Sequence, residues 1–208
     1  MQYRNFGSLD WKVSALGFGA MRLPLEDPTE NTSIDDERAA RMVRYAIDHG
    51  VNYVDTAYPY HGGESERFVG RALQDGYREK VHLATKLPMW ALEKEGDAER
   101  ILNEQLEKLQ TDHIDCYLFH GLREARWETV EQFDLLNWAE KVKADGRVRH
   151  IGFSFHDNVD VFKKIVDAYD NWDFCQIQYN YMDINNQAGT EGLKYAASKG
   201  MAVVVMEP

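Results

Sequence analysis

The feature that most constrains the fold is an alternation, sustained along all 208 residues, between short β-branched or aromatic runs and longer segments with helical periodicity. Strands joined through helices lie parallel, so the chain reads as an α/β protein. Seven runs fit strands: Ser14–Ala20, Val51–Asp55, Val81–Thr85, His113–Phe119, Val148–Phe153, Phe174–Gln178 and Met201–Met206. In the first intervening helix Ser33 is expected to be the cap, Ala39, Val43, Ala46 and Ile47 form the apolar face, and Gly50 closes the element. Further helices are expected at about Glu64–Leu73, Asp97–Leu109, Trp127–Ala144, Asp157–Tyr169 and Thr190–Ser198. Tyr3 and Phe6 before Gly7, with Val13 after it, predict a β-hairpin that caps one end of the sheet.

Parallel strands of this kind build either an open doubly wound sheet or a closed barrel. The only glycine pair at the first strand is Gly17-Phe18-Gly19, without a third glycine or a prompt helix, so the dinucleotide fingerprint of the open sheet is absent. Nearly constant spacing favours the (β/α)8 TIM barrel, whose chemistry gathers at the carboxyl ends of the strands. Such barrels use eight strands and about 250 residues. Seven runs therefore predict an incomplete barrel with an N-terminal β-hairpin cap: one domain over residues 1–208, missing its C-terminal strand and helices, and so a fragment of a longer protein. Unpaired first and seventh strands are expected to invite self-association.

With 24 Lys plus Arg against 35 Asp plus Glu, the net charge is −11, which argues against a nucleic-acid partner. No apolar stretch approaches the ~18 residues of a membrane span, and the N-terminus lacks the layout of a secretory signal, so a cytoplasmic protein without a membrane partner is expected. Cys116 and Cys175 each sit in an apolar run and read as small buried hydrophobes in a reducing compartment.

The carboxyl ends of the strands present, in order, Gly19 to Met21, Asp55, Lys86, His120, Ser154 with His156, Gln176 and Glu207. The steps from Asp55 to Lys86, Lys86 to His120 and His120 to Ser154 are 31, 34 and 34 residues, a repeating unit that brings these groups to one rim. A carboxylate beside an ammonium can hold a third ionisable group in a perturbed state, and a tyrosine is a natural third group because a lysine cation favours phenolate. Tyr60, five residues past Asp55, is within reach of that rim, and Tyr58 competes with it.

Asp55-Thr56-Ala57-x-x-Tyr60, Gly63-Glu64, Ala84-Thr85-Lys86, Leu118-Phe119-His120 and Gly152-Phe153-Ser154, in this order and spacing, resemble the aldo-keto reductase family. Val13 to Met21 is similar to that family's first strand. The resemblance implies an NAD(P)H-dependent oxidoreductase that reduces an aldehyde or ketone, with a small carbonyl compound as its partner. Asp55, Tyr60, Lys86 and His120 match the catalytic tetrad: Tyr60 as general acid, Lys86 lowering its pKa, Asp55 paired with Lys86, His120 orienting the carbonyl. Ser154 and Gln176 match the residues that bond the nicotinamide carboxamide, and Gly19 and Met21 the backbone that lines it. The family's Ser-Asn pair is Ser154-Phe155 here, and Met206 stands where a stacking aromatic is common. NADP is the expected cofactor, with NAD an alternative; the resemblance allows an iron–sulfur cluster only in a missing C-terminal segment.

Competing readings stay open at this point. Lys86 and Asp55 alone read as an ordinary buried ion pair. His61, His113, His150 and His156 have no helical i, i+4 spacing and no clustered Cys, so no metal site is expected and they read as solvated or supporting histidines. Two further readings are a catalytically weak cofactor-binding or regulatory relative that keeps the tetrad, and a barrel isomerase or lyase using Lys86 as a Schiff base.

Overall fold

The computed structural model describes residues 1–208. Strands β1 (Tyr3–Asn5) and β2 (Lys12–Ser14) form the expected antiparallel hairpin, with Tyr3 opposite Ser14. The remaining strands, β3 (Phe18–Gly19), β4 (Tyr53–Asp55), β5 (His82–Leu87), β6 (Ile114–Leu122), β7 (Val148–Phe155), β8 (Phe174–Gln178) and β9 (Ala202–Met206), form one parallel sheet in strict sequence order. Nowhere does that order reverse, so the sheet has no switch point of the doubly wound kind; it curls into a half-barrel of the (β/α)8 type. The helices between the strands are α1 (Asp36–Asp48), α2 (Glu64–Ala72), α3 (Asp97–Leu109), α4 (Glu124–Gln132), α5 (Leu135–Ala144), α6 (Val159–Asp167) and α7 (Gly189–Ser198).

Side chains alternate across each strand, and this sorts the core into two parts. Val54, Leu83, Tyr117, Phe119, Ile151, Phe153, Cys175 and Ile177 point outward and pack under the helices in the main cluster. Tyr53, Ala84, Cys116, Leu118, Phe174 and Ala202 form a smaller inner cluster with Phe6 of the hairpin, whose ring stacks on Trp11 at 4.3 Å. The hairpin therefore plugs the amino end of the sheet, and the inner positions next along each strand, at the carboxyl end, are left for polar residues. Gly152 lets β7 and β8 close: a Cβ there would lie 2.5 Å from the Phe174 carbonyl oxygen.

Four sequence expectations need correction. Asp35, not Ser33, caps α1, its carboxylate accepting from the Arg38 amide at 3.0 Å. Ser33 instead ties the preceding loop through the Asp27 and Glu30 carbonyls. The run Ser14–Ala20 is not one strand: Ser14 belongs to the hairpin and only Phe18–Gly19 joins the parallel sheet, opposite Val54 and Asp55. The segment Trp127–Ala144 is two helices, because Asp134 adopts a left-handed φ of 49° that an α-helix cannot continue through. His61 is buried, its Nε2 accepting from the Leu23 amide and its Nδ1 bonded to the Asn31 carbonyl, so it clamps a loop and is not solvated.

Candidate active site

The inner face at the carboxyl end of the sheet carries a buried ion pair. Asp55 ends β4, and Lys86, two residues beyond inner Ala84, projects from β5 on the same face. Lys86 Nζ donates to Asp55 Oδ1 at 2.8 Å, to Oδ2 at 2.9 Å and to the Thr56 carbonyl at 2.7 Å. Its side chain is only 2% exposed. Burial pushes the Asp55 carboxyl above its ordinary range against the pull of Lys86. Burial alone would lower the Lys86 ammonium, but Asp55 and Tyr60 together hold it above its ordinary value.

The backbone of Lys86 is fixed from the helix side. Gln105 of α3 donates to the Lys86 carbonyl at 3.0 Å and to Glu66 Oε1 at 2.6 Å, and Thr85 donates to the same Glu66 oxygen at 2.6 Å. Tyr117 closes the group by donating to Gln105 Oε1 at 2.6 Å. Glu66, Gln105 and Thr85 are all fully buried, and burial raises the Glu66 pKa.

Tyr60 opens a short 3-10 turn, Tyr60–Gly63, in the loop after β4. The Lys86 ammonium lies 5.1 Å from the centre of its ring, and the His120 ring stands edge-on to it at 6.2 Å. Burial raises the Tyr60 pKa, and Lys86 pulls the other way without overcoming it, so the phenol is protonated at neutral pH. His120, near the end of β6, is pushed down to about 2 by burial and by the charges of Lys86, Arg126 and His156, so its imidazole is neutral. Its Nδ1 is buried without a partner. Tyr58, the competing phenol, points to Glu104 at 3.3 Å and lies under Lys108 at 4.3 Å, outside this group.

Ser154 and Gln176 are directly opposite each other on β7 and β8. Ser154 Oγ accepts from the Gly121 amide at 2.7 Å, which leaves its own proton free to donate. Gln176 is buried, and its Oε1 has no partner. A hydroxyl donor beside an orphaned amide acceptor is the complement of a carboxamide, so these two residues fit the nicotinamide end of the expected cofactor. Gly19, opposite Asp55 in the sheet, faces open space where a Cβ would meet nothing within 4 Å. Met21 is 51% exposed, and Met206 is half-buried on edge strand β9, so neither is packed into the core. Tyr179 and Asn180, after β8, are used locally: the Tyr179 hydroxyl pairs with Thr190 at 2.9 Å and Asn180 caps the Met182 and Asp183 amides.

Sequence reasoning missed Trp90 and Arg126. Trp90, in the short turn Met89–Ala91 after β5, sits 5.0 Å from the His120 ring, and the Arg126 guanidinium lies over Trp90 at 5.1 Å. Trp90 follows a strand end that was already singled out, which could have flagged it; Arg126 lies inside a helix and carries no such signal. A cavity of about 1010 Å³ lies elsewhere, at the amino ends of β5 to β7. It is crossed by ion pairs from Asp115 to Arg78 and Arg149, at 2.7 and 2.8 Å, and holds none of the groups above.

The family model of the aldo/keto reductase family matches residues 15–208. L-galactose dehydrogenase of Arabidopsis thaliana is 30% identical over 215 residues, covering 100% of this chain and 65% of that protein. Among solved structures, the aldo-keto reductase AKR11C1 from Bacillus halodurans in its holo form superposes with a TM-score of 0.75 at 30% identity, over 99% of this chain and 65% of that one. An aldo/keto reductase from Klebsiella pneumoniae in complex with NADP and acetate gives 0.72 at 27% identity, over 95% of this chain and 65% of its own. The chain belongs to the aldo/keto reductase family of oxidoreductases, of which it spans 65% of the length of these three relatives. No helix in it is long and apolar enough to cross a membrane.

Proposed function

We propose that the protein reversibly reduces an aldehyde or ketone to an alcohol, with Tyr60 as the proton donor. The observation that carries this is the convergence of Tyr60 and His120 on Lys86 and its buried partner Asp55, while the Tyr58 and Tyr179 hydroxyls turn to Glu104 and Thr190. NADPH, when bound, supplies the hydride. Tyr60 donates its hydroxyl proton to the carbonyl oxygen as that oxygen gains charge. The phenolate left behind faces the Lys86 ammonium, which stabilises it until a solvent proton returns. Asp55 and the Thr56 carbonyl hold the ammonium in place. The neutral His120 orients the carbonyl. Ser154 and Gln176 would hold the carboxamide, the first by donation and the second through its orphaned Oε1, with Gly19, Met21 and Met206 as the residues that would line the ring.

The NADP bound by the Klebsiella relative supports that cofactor. A Schiff-base role for Lys86 is disfavoured because all three ammonium protons are engaged and its pKa is raised, whereas an amine nucleophile needs a lowered one. The test is loss of nicotinamide absorbance when the protein is given NADPH and a generic aromatic aldehyde. Turnover is expected. Quenching of NADPH fluorescence without turnover would instead identify a cofactor-binding module.

A further inference from the structure

Arg126 is an arginine without a carboxylate in a chain that holds 35 acidic residues. Its Nη1 donates to the His120 and Gly121 carbonyls at 3.2 and 2.8 Å, which fixes the guanidinium plane against the end of β6. Nε and Nη2 donate to no protein acceptor, and neither is sealed from solvent. The space it occupies is made by Gly121, whose φ of 62° favours glycine and where a Cβ would run into Nη1. Burial and neighbouring Arg123 lower the Arg126 pKa, and no carboxylate raises it. Arg123, exposed at the start of α4, and Arg22, exposed after β3, likewise form no ion pair. Of the acids toward this rim, Asp55 is held by Lys86, Asp157 accepts from the Glu124 amide, and Glu207 acts on His156.

Trp90 connects this cation to the reacting centre. Trp90 is 49% exposed, and its ring is 5.0 Å from the His120 imidazole and 5.1 Å from the Arg126 guanidinium. A molecule lying on that ring can therefore present a carbonyl at His120 and a second group at Arg126, no further apart than those two steps laid end to end.

We propose that Arg126, backed by Arg123, is an anion-recognition subsite, and that the carbonyl compound this enzyme reduces carries a carboxylate. The proposal rests on the reductase reading for the position of the carbonyl, and adds the chemistry of its far end. A guanidinium fixed through one nitrogen, with two donors left on its other edge, matches a carboxylate in geometry. Partial desolvation strengthens the pairing, since there is no protein acid to displace.

The experiment compares 4-formylbenzoate with its methyl ester, which differ at the far end by the charge and one methyl group, in the protein and in Arg126→Met and Arg126→Gln. The Gln variant keeps a donor for the two carbonyls and so guards against misfolding. The unaltered protein is expected to favour the acid in kcat/KM by about tenfold or more, the scale of one charge-assisted hydrogen bond. Both variants are expected to bring the ratio to within about threefold of unity, largely through KM. In parallel, benzoate is titrated calorimetrically against each protein. An unchanged ratio overturns the proposal, as does a rise in KM for NADPH with the ratio kept, which would give Arg126 to the cofactor. If neither aldehyde is reduced, the reductase reading fails by itself and the benzoate titration decides: binding lost in both variants upholds the subsite, and equal binding in all three overturns it.

Discussion

Lys86 directs its ammonium at three acceptors on two consecutive residues, the two Asp55 carboxylate oxygens and the carbonyl of Thr56, at 2.7 to 2.9 Å. A buried charge held this way has no water to fall back on.

Lys86→Met leaves the Asp55 carboxylate buried and unpaired. Loss of about 3–5 kcal/mol of stability is expected from the general cost of breaking such a pair. Pairing it with Asp55→Asn should restore part of that loss. Denaturant unfolding of the two single variants and the double variant measures the coupling, and additivity would contradict the account.

His120 gives a pH dependence of definite sign. Its pKa falls from 6.5 to about 2 on folding, so between these values the unfolded chain binds a proton that the folded chain does not. Its share of stability is therefore full above pH 6.5 and declines as pH falls toward 2, by at most about 1.4 kcal/mol per pH unit. His120→Asn should flatten the stability profile over that interval. An unchanged slope in urea titrations would show that the imidazole protonates in the fold.

Gln176→Leu removes a buried amide whose oxygen has no protein partner. Its amide group also supports the Asp55 carboxylate, so stability should fall by no more than about 1 kcal/mol, while NADPH affinity falls by about tenfold, the worth of one hydrogen bond. Thermal melting and fluorescence titration read the two effects separately. A destabilised variant with normal NADPH binding would assign Gln176 a structural role.

Gly152→Ala puts a methyl group 2.5 Å from the Phe174 carbonyl oxygen, so β7 and β8 must separate. A loss of about 1–3 kcal/mol is expected, as for other overpacked positions. An unchanged melting temperature would mean that the sheet gives way freely there.

What the sequence revealed, and what it hid, follows from where each signal resides. The order of strands and the inner-face positions of Asp55, Lys86, Ser154 and Gln176 were legible because strand alternation and strand-end position are written locally in the chain. The break at Asp134 was not, because helical periodicity continues on both sides and only a backbone angle of 49° interrupts it. The exchange of Ser33 for Asp35 as the cap was equally hidden, since both residue types suit the role and the loop decides between them. The Trp90–Arg126 contact joins a loop to a helix 36 residues away, and no local pattern announces it. The balance at Tyr60 also needed coordinates: the pull of Lys86 was foreseeable from the motif, but its outweighing by burial depends on how deeply the ring is packed.

The account stands on the phenol of Tyr60 as the proton source, and one comparison tests that directly. Rates of NADPH oxidation with an aromatic aldehyde are measured for the protein and for Tyr60→Phe, which removes a single oxygen. A fall in kcat of about 10² to 10⁴, with NADPH binding and melting temperature unchanged, is the expected result. Equal rates in the two proteins would contradict it.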